Sequence, residues 1–419
     1  MNTIFHFPVA GTIAIFTLGI WLHLFFGRGW FWRVKKLDAD RSGGETAGEW
    51  PSVIAVIPAR NEAASIAQVV TSLIRQDYLG PLSIIIVDDH SGDGTAALAR
   101  QAAVESAAAE RVRILTASTL PSGWTGKLWA LNEGVCSVRA STERPPNQTR
   151  NETPNESPNN TPNQSPLDPA NFYWFTDADI IHAPDTLRRL VARAQQDKLD
   201  LASLMVLLQA RSLPEQALIP AFLYFFLMLY PPRWISDEDL GTAGAAGGCI
   251  LLRREALERI GGFSAIRSEV IDDCALARAV KQSGGRVWMG LTRKSTSLRA
   301  YHTFGEIRDL IARTAFTQLC YSPLFLAGTL LGMFLTYLAP VLLLFSHDPT
   351  AKVLAAAAWV LMTLSFLPTV RFFRLSPLWA PLLPLAAFFY TYATWLSALR
   401  YWLGKGGQWK GRAQAPRGA

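Results

Sequence analysis

The stretch FYWFTDADIIHAP, residues 172–184, runs four bulky side chains into Asp177 and Asp179, two carboxylates separated by one small residue. At the carboxyl end of a strand, acids at i and i+2 can point the same way and share one hard cation through oxygen ligands. Magnesium or manganese held in this way keeps open positions for a diphosphate, so the pair reads as a metal clamp for a nucleotide's phosphates. The competing reading is a turn or helix cap, because APDTLRRLV follows. Asp185 is the better placed N-cap for a helix starting near Thr186.

Three further clusters have matching chemistry. VDDHSGDGT (87–95) ends an apolar run in Asp88 and Asp89 and continues into a Gly-rich turn. Acids there can accept hydrogen bonds from a base or a ribose. In SGWTGKLWALN (122–132), Gly126 and Lys127 open a helix, and both the ammonium and the helix N-terminus favour an anionic phosphate. The spacing of a P-loop is absent. SEVIDDCALARAVKQSGG (268–285) sets Asp272 and Asp273 at the start of an amphipathic helix, where they either cap it or, facing a cleft, supply a general base. GTAGAAGGCI (241–250) lets chain and ligand approach closely, or is a small-residue packing turn. His182 and His302 could reach a metal or phosphate, though a lone histidine is more often structural.

These groups need a scaffold that brings them together. SVIAVIP (52–58), SIIIVDD (83–89), RVRIL (111–115) and NFYWFT (171–176) are short β-branched or aromatic runs, expected as buried strands. AASIAQVVTSLIRQ (63–76), GTAALARQAAVESAAAE (94–110) and residues 127–138 read as helices between them. Such alternation predicts an α/β fold with a mostly parallel sheet and helices on both faces, its ligand at the carboxyl ends of strands. The Asn/Pro/Ser/Thr repeat within 141–170 cannot bury a core and is expected to be a surface insert acting as a spacer.

The 419-residue chain is 50% hydrophobic and only 17% charged, a composition leaning toward membranes. Its net charge of +7 suits anionic lipid or substrate, and no Lys/Arg block suggests nucleic acid. Four scattered cysteines form no CxxC pair, which argues against a disulfide framework or zinc site. Residues 4–26 are uncharged and long enough to span a bilayer, with Arg28, Arg33, Lys35 and Lys36 after them. That asymmetry puts the N-terminus outside and the following domain in the cytoplasm. A cleaved signal peptide is disfavoured by the missing basic n-region. Further uncharged stretches lie at about 322–346, 353–370 and 375–399. Three crossings would leave the basic tail outside, so one segment is expected to re-enter or lie in the interface. ALIPAFLYFFLMLYPPRW (217–234) reads as an interfacial or a core helix.

VIPARNE, VDDHSGDGT, FTDADI and IDDCALA, in this order, resemble the family-2 glycosyltransferases with the GT-A fold. GWTGKLWA and the flanking apolar segments make the hopanoid-biosynthesis-associated glycosyltransferases of bacteria the nearest likeness, with ceramide glucosyltransferases similar. The resemblance covers about residues 50–320 and implies a GT-A domain over 50–300. Around it come an N-terminal anchor (1–30), an interfacial segment (301–320), membrane helices (321–402) and a basic tail (403–419). It implies that Pro58, Arg60, Glu62, Asp88 and Asp89 bind the nucleoside of a UDP-sugar, and that Lys127 and Asp177 bind the donor. Asp177 and Asp179 hold Mg2+ or Mn2+, Asp273 is the general base, and Asp272 stands where the family usually has Glu. The Gln-x-x-Arg-Trp of processive members is absent, RTAFT (313–317) being the nearest match, which favours a single inverting transfer to a lipid acceptor. The expected location is the bacterial inner membrane. The rival readings are a non-catalytic nucleotide-sugar-binding scaffold and a transporter. The spans carry almost none of the polar residues a transporter needs.

Overall fold

Eight strands make one sheet in the order β3-β2-β1-β4-β7-β6-β8-β5. They are β1 (Val53–Ala59), β2 (Leu82–Asp88), β3 (Val112–Thr116), β4 (Phe172–Phe175), β5 (Ile180–His182), β6 (Leu201–Leu207), β7 (Ile250–Arg253) and β8 (Val287–Ser297). The computed structural model describes residues 9–33, 49–142, 170–404, 408–409 and 412–413. The Asn/Pro insert (141–170) lies almost wholly outside the described residues, as does most of the basic tail. The first four strands are the runs expected from sequence, within a residue at most ends. β1 pairs in parallel with β2 and β4, β2 with β3, and β6 with β8. β7 is antiparallel to β4 and β6, and β5 to β8, so the sheet is mostly but not wholly parallel.

Side chains alternate across the sheet as a period of two requires. Val53, Ala55 and Ile57 of β1 face one core, Ile54 and Val56 the other. The helix Ile66–Ile74 covers the first face with Ile66, Val69, Val70 and Leu73, a single stripe at helical spacing. The helix Thr186–Gln196 adds Leu187, Leu190 and Val191 to the same face. On the opposite face the helix Gly126–Thr142 packs so closely that a Cβ on Gly134 would lie 2.5 Å from Val56 Cγ1. This second core runs on past the sheet into Tyr224, Tyr337, Met362 and Phe366 of the apolar helices.

Five described helices are long and apolar enough to cross a membrane: Val9–Gly27, Leu213–Ile235, Pro323–Leu343, Pro349–Phe372 and Pro377–Trp402. The second of these leaves the sheet after β6 and returns to it at β7, the antiparallel partner of β6. It therefore cannot carry the chain to the far side of a bilayer. Its α-helical part, Leu213–Leu229, starts with a capping box between Ser212 and Glu215. It is seated among the apolar helices, with the Tyr224 and Ser365 hydroxyls 2.7 Å apart and Tyr390 Oη donating to Leu218 O at 3.0 Å. These contacts and the burial of Leu218, Ile219, Tyr224 and Leu227 bear on the core reading of this segment.

Candidate active site

β1, β2 and β4 end side by side, and the acids follow their ends. After β1, the segment Arg60–Glu62 meets the loop after β2. Asn61 and His90 take left-handed backbone conformations, with φ of 50° and 53°. The Asn61 amide donates to Ser91 Oγ at 2.9 Å, Gly92 N donates to Asn61 Oδ1 at 3.0 Å, and Glu62 N donates to Thr95 Oγ1 at 2.9 Å. Arg60 Nη1 donates to Asp89 O at 2.5 Å and lies 3.3 Å from Asp89 Oδ2. Asp88 and Asp89 are buried. Asp88 Oδ2 accepts from Ser91 N at 3.3 Å, while its Oδ1 has no hydrogen-bond partner. A buried acceptor without a donor costs on the order of 1–3 kcal/mol, which a donor on a ligand would recover after a small rotation.

Lys127 occupies the first turn of its helix, as expected, and its ammonium is the hub of the cleft. It lies 2.9 Å from Asp177 Oδ1 and 3.3 Å from Asp272 Oδ2. Asp273 accepts from Gly247 N at 2.8 Å and from Cys274 N at 2.7 Å. A Cβ on Gly247 would sit 3.1 Å from Lys127 Nζ and 3.3 Å from Asp273 Oδ2, so the GTAGAAGGCI loop does approach the charged groups closely. Pro58, Lys127, Thr176, Asp177, Gly247, Asp272 and Asp273 line one pocket. Burial, then repulsion from Asp272, pushes the Asp273 carboxyl up to about 6 against the pull of Lys127. Burial alone would lower the Lys127 ammonium, but Asp177, Asp272 and Asp273 together raise it, so it stays charged.

Asp177 and Asp179 depart from the simple clamp. β4 stops at Phe175, and the two acids lie on a turn, with Ile180 N bonded to Asp177 O at 3.2 Å. They are therefore not i and i+2 of a strand, and each carboxylate meets its own cation. Asp177 faces Lys127. Asp179 Oδ2 lies 3.0 Å from Arg299 Nε, and Arg299 Nη2 lies 3.1 Å from Glu62 Oε1. Arg299, two residues past β8, was not singled out from sequence. Its only signal there is a basic residue just beyond a strand end. Among the described residues no group of three or more His, Cys, Asp or Glu forms a ready metal cage. The donor set nonetheless fits a magnesium-type ion, which takes one or two carboxylates and completes its shell with substrate phosphates and water.

The two histidines do not join the cleft chemistry. His182 is buried, its ring nitrogens sharing 2.8 Å hydrogen bonds with Thr176 and Ser295. Burial pushes it down to about 3, so it is a neutral strut beneath the acidic turn. His302 is exposed, and its amide donates to Glu306 Oε2 at 2.8 Å. Asp185 takes the N-cap position of its helix, but its carboxylate pairs with Lys294 and Arg189 instead of capping.

The profile described as "Glycosyltransferase like family 2" matches residues 51–316. A mannosyltransferase from Pyrobaculum calidifontis, solved with GDP-Man and Mn2+, is similar with a TM-score of 0.50 and 18% identity, over 93% of this chain and 99% of that one. TarS from S. aureus is similar with a TM-score of 0.38 and 14% identity, over 84% of this chain and 55% of that one. Glucosyl-3-phosphoglycerate synthase from Mycobacterium tuberculosis, solved with Mg2+ and uridine-diphosphate, is similar with a TM-score of 0.35 and 16% identity, over 64% and 79%. No curated protein matches the chain. The profile covers more than half of the sequence and the whole sheet that carries the cleft, so the chain belongs to the glycosyltransferase-like family 2 and is a glycosyltransferase of GT-A fold.

Proposed function

We propose that the protein moves one sugar from a UDP-sugar to a hydroxyl of a lipid, with inversion, at the cytoplasmic face of a bacterial inner membrane. The observation that carries this reading is the Lys127 ammonium held among Asp177, Asp272 and Asp273 in one pocket. Such a group neutralises charge developing on a leaving diphosphate while a carboxylate stands ready to take a proton. Asp273, with both oxygens fixed by backbone amides and its carboxyl up at about 6, is ionised at neutral pH and removes the acceptor hydroxyl proton. Asp272 keeps that carboxyl basic and shares Lys127 with Asp177. Pro58, Arg60, Glu62, Asp88 and Asp89 form the nucleoside end, where the buried Asp88 Oδ1 waits for a donor. Asp177 and Asp179 would hold Mg2+ or Mn2+, whose chemistry when bound is to offset the negative charge of the diphosphate.

A lipid acceptor follows from the apolar helices that share a core with the sheet. The likeness to hopanoid-associated enzymes makes hopanoids the first acceptors to assay. The test supplies purified protein in detergent with UDP- or GDP-sugars, Mn2+ and bacterial lipid extract, and reads glycolipid by mass spectrometry. Wild type should give a product that Asp177→Ala and Asp273→Asn both abolish. Product from neither donor, or variants equal to wild type, would overturn the reading. Product from GDP-sugar alone would overturn the choice of donor.

A further inference from the structure

Residues 377–402 are long and apolar enough to cross a membrane, yet both ends of this segment meet the catalytic side of the molecule. At its entry, the helix Pro349–Phe372 ends where Arg293 of β8 donates to Arg371 O and Phe372 O, both at 2.7 Å. The chain then reverses through Arg374, at φ 58°, with Leu375 N bonded back to Val370 O at 3.2 Å. It runs back along the same helix, because Trp359 Nε1 donates to Pro381 O at 3.1 Å. Trp359 precedes Phe372 by thirteen positions, about 20 Å of helix.

The exit is equally well marked. In the last turns of the helix Leu383–Trp402, Arg400 Nη2 pairs with Asp309 Oδ1 at 2.7 Å. Ser397 Oγ accepts from Phe316 N at 3.1 Å and donates to Ala312 O at 2.5 Å. Tyr401 stacks on Tyr321 with ring centroids 4.5 Å apart. These partners sit between β8 and the helix starting at Pro323, as does Gln318, which donates to Tyr230 Oη at 2.6 Å; the Tyr230 ring lies 3.0 Å from where a Cβ on Gly244 would be, in the loop whose Gly247 amide holds Asp273. A single crossing would separate Phe372 from Arg400 by the hydrocarbon core, about 30 Å, and would leave Arg400 and Asp309 on opposite faces.

We infer that residues 375–402 form a re-entrant hairpin that enters the bilayer from the catalytic face and returns to it. The backbone chemistry suits this path. Non-helical chain inside a membrane must have its polar groups satisfied. PLWAPLLP (377–384) removes three N–H donors through Pro377, Pro381 and Pro384, and Trp359 satisfies one of the carbonyls. Leu378, Leu385 and Phe388 are exposed, as lipid-facing side chains should be. With the helix Leu213–Leu229, which also starts and finishes at the sheet, the hairpin makes a wedge in the monolayer beneath the cleft. Among the described helices three full crossings remain: Val9–Gly27, Pro323–Leu343 and Pro349–Phe372. This count returns the chain at Trp402 to the face of Arg28, Arg371 and Arg374, and the sequence that follows is basic, as the positive-inside rule asks of that face. It also has an acceptor lipid drawn from the monolayer of the catalytic face.

The inference rests on the chain being membrane-embedded, not on the transfer reaction. Carbonate extraction tests the first point separately, since protein released into the soluble fraction overturns the membrane reading and the hairpin together. The topology test uses the full-length chain with its four cysteines replaced by alanine and a single new thiol, Glu255→Cys, His347→Cys or Ala419→Cys. Sealed vesicles are treated with a membrane-impermeant maleimide before and after permeabilisation. Positions 255 and 419 should label together, and 347 from the opposite face. Position 419 labelling with 347 overturns the hairpin. Should the cysteine-free chain fail to fold, an epitope tag after Ala419 of the native chain, probed by protease protection in the same vesicles, yields the same two outcomes.

Discussion

Asp273 and Arg299 show how single charges set the behaviour of the cleft. Under the proposed mechanism, with its carboxyl up at about 6, Asp273 would serve as base above that pH and be spent below it. The log of kcat/KM should therefore fall with unit slope as pH drops through about 6. Asp272→Asn removes the neighbouring negative charge and should move that limb toward acid by up to about one pH unit. The linkage has the opposite sign for stability. A carboxyl raised in the folded state helps folding most below its unfolded pKa, and that help is lost as pH rises through about 6. Asp273→Asn should therefore be inactive and, without donor, should compare more favourably with wild-type stability at pH 8 than at pH 4, although its side chain offers only one acceptor to the Gly247 and Cys274 amides. Calorimetry at pH 4 and pH 8 checks this, the gap between variant and wild type being expected to shift in the variant's favour at the higher pH. Arg299 ties Asp179 to Glu62 and so occupies the carboxylate a divalent ion would use. Arg299→Gln should bind Mn2+ alone more tightly, by roughly tenfold for one charge at short range, while losing turnover. Titration of free Mn2+ by electron paramagnetic resonance reads the first effect without any assay of activity.

At the scale of elements, the closeness of the Gly126–Thr142 helix to the sheet positions Lys127. A methyl group at 134 would lie 2.5 Å from Val56 Cγ1 and 3.1 Å from Val87 Cγ2. Gly134→Ala should destabilise the domain by about 1–3 kcal/mol, seen as a lowered melting temperature. It should also raise KM for the donor, because Lys127 rides on the displaced helix. The strands that carry most of the cleft were legible in the sequence, since a strand buried on both faces is a short β-branched run with an abrupt end. Asp88 and Asp89 could be placed for that reason, and Lys127 because Gly126 and Lys127 open a helix. β8 was not, because TRKSTS gives no apolar alternation over its second half. Arg299, whose meaning depends on where β8 ends, stayed hidden with it. NFYWFT extends its strand pattern one residue past the true end at Phe175, which favours the i and i+2 reading of Asp177 and Asp179 over the turn that they in fact occupy. The separation of its two carboxylates onto two cations is a tertiary fact that no spacing encodes.

Across the described molecule, one apolar core links the sheet that carries the cleft to the long apolar helices. Tyr224 is its joint. The side chain is fully buried, its ring packs edge-on to Phe31 and Phe366 at 5.2 Å, and its hydroxyl lies 2.7 Å from Ser365 Oγ. Arg28 and Arg293 add polar rivets, donating to Met228 O at 3.0 Å and Phe372 O at 2.7 Å, both carbonyls at helix ends. Rivets of this kind hold two bodies in register only if the bodies melt together. Tyr224→Phe keeps the packing and loses one hydrogen bond in apolar surroundings, so it should cost about 0.5–2 kcal/mol. Tyr224→Ala opens a cavity at the joint and should cost about 3–5 kcal/mol. In detergent, the loss of activity on heating and the exposure of buried cysteines Cys249 and Cys274 should shift down by the same number of degrees in each variant. A variant in which thiol exposure moves while activity holds would show that the cleft does not depend on its floor of apolar helices, against the shared core that the packing describes.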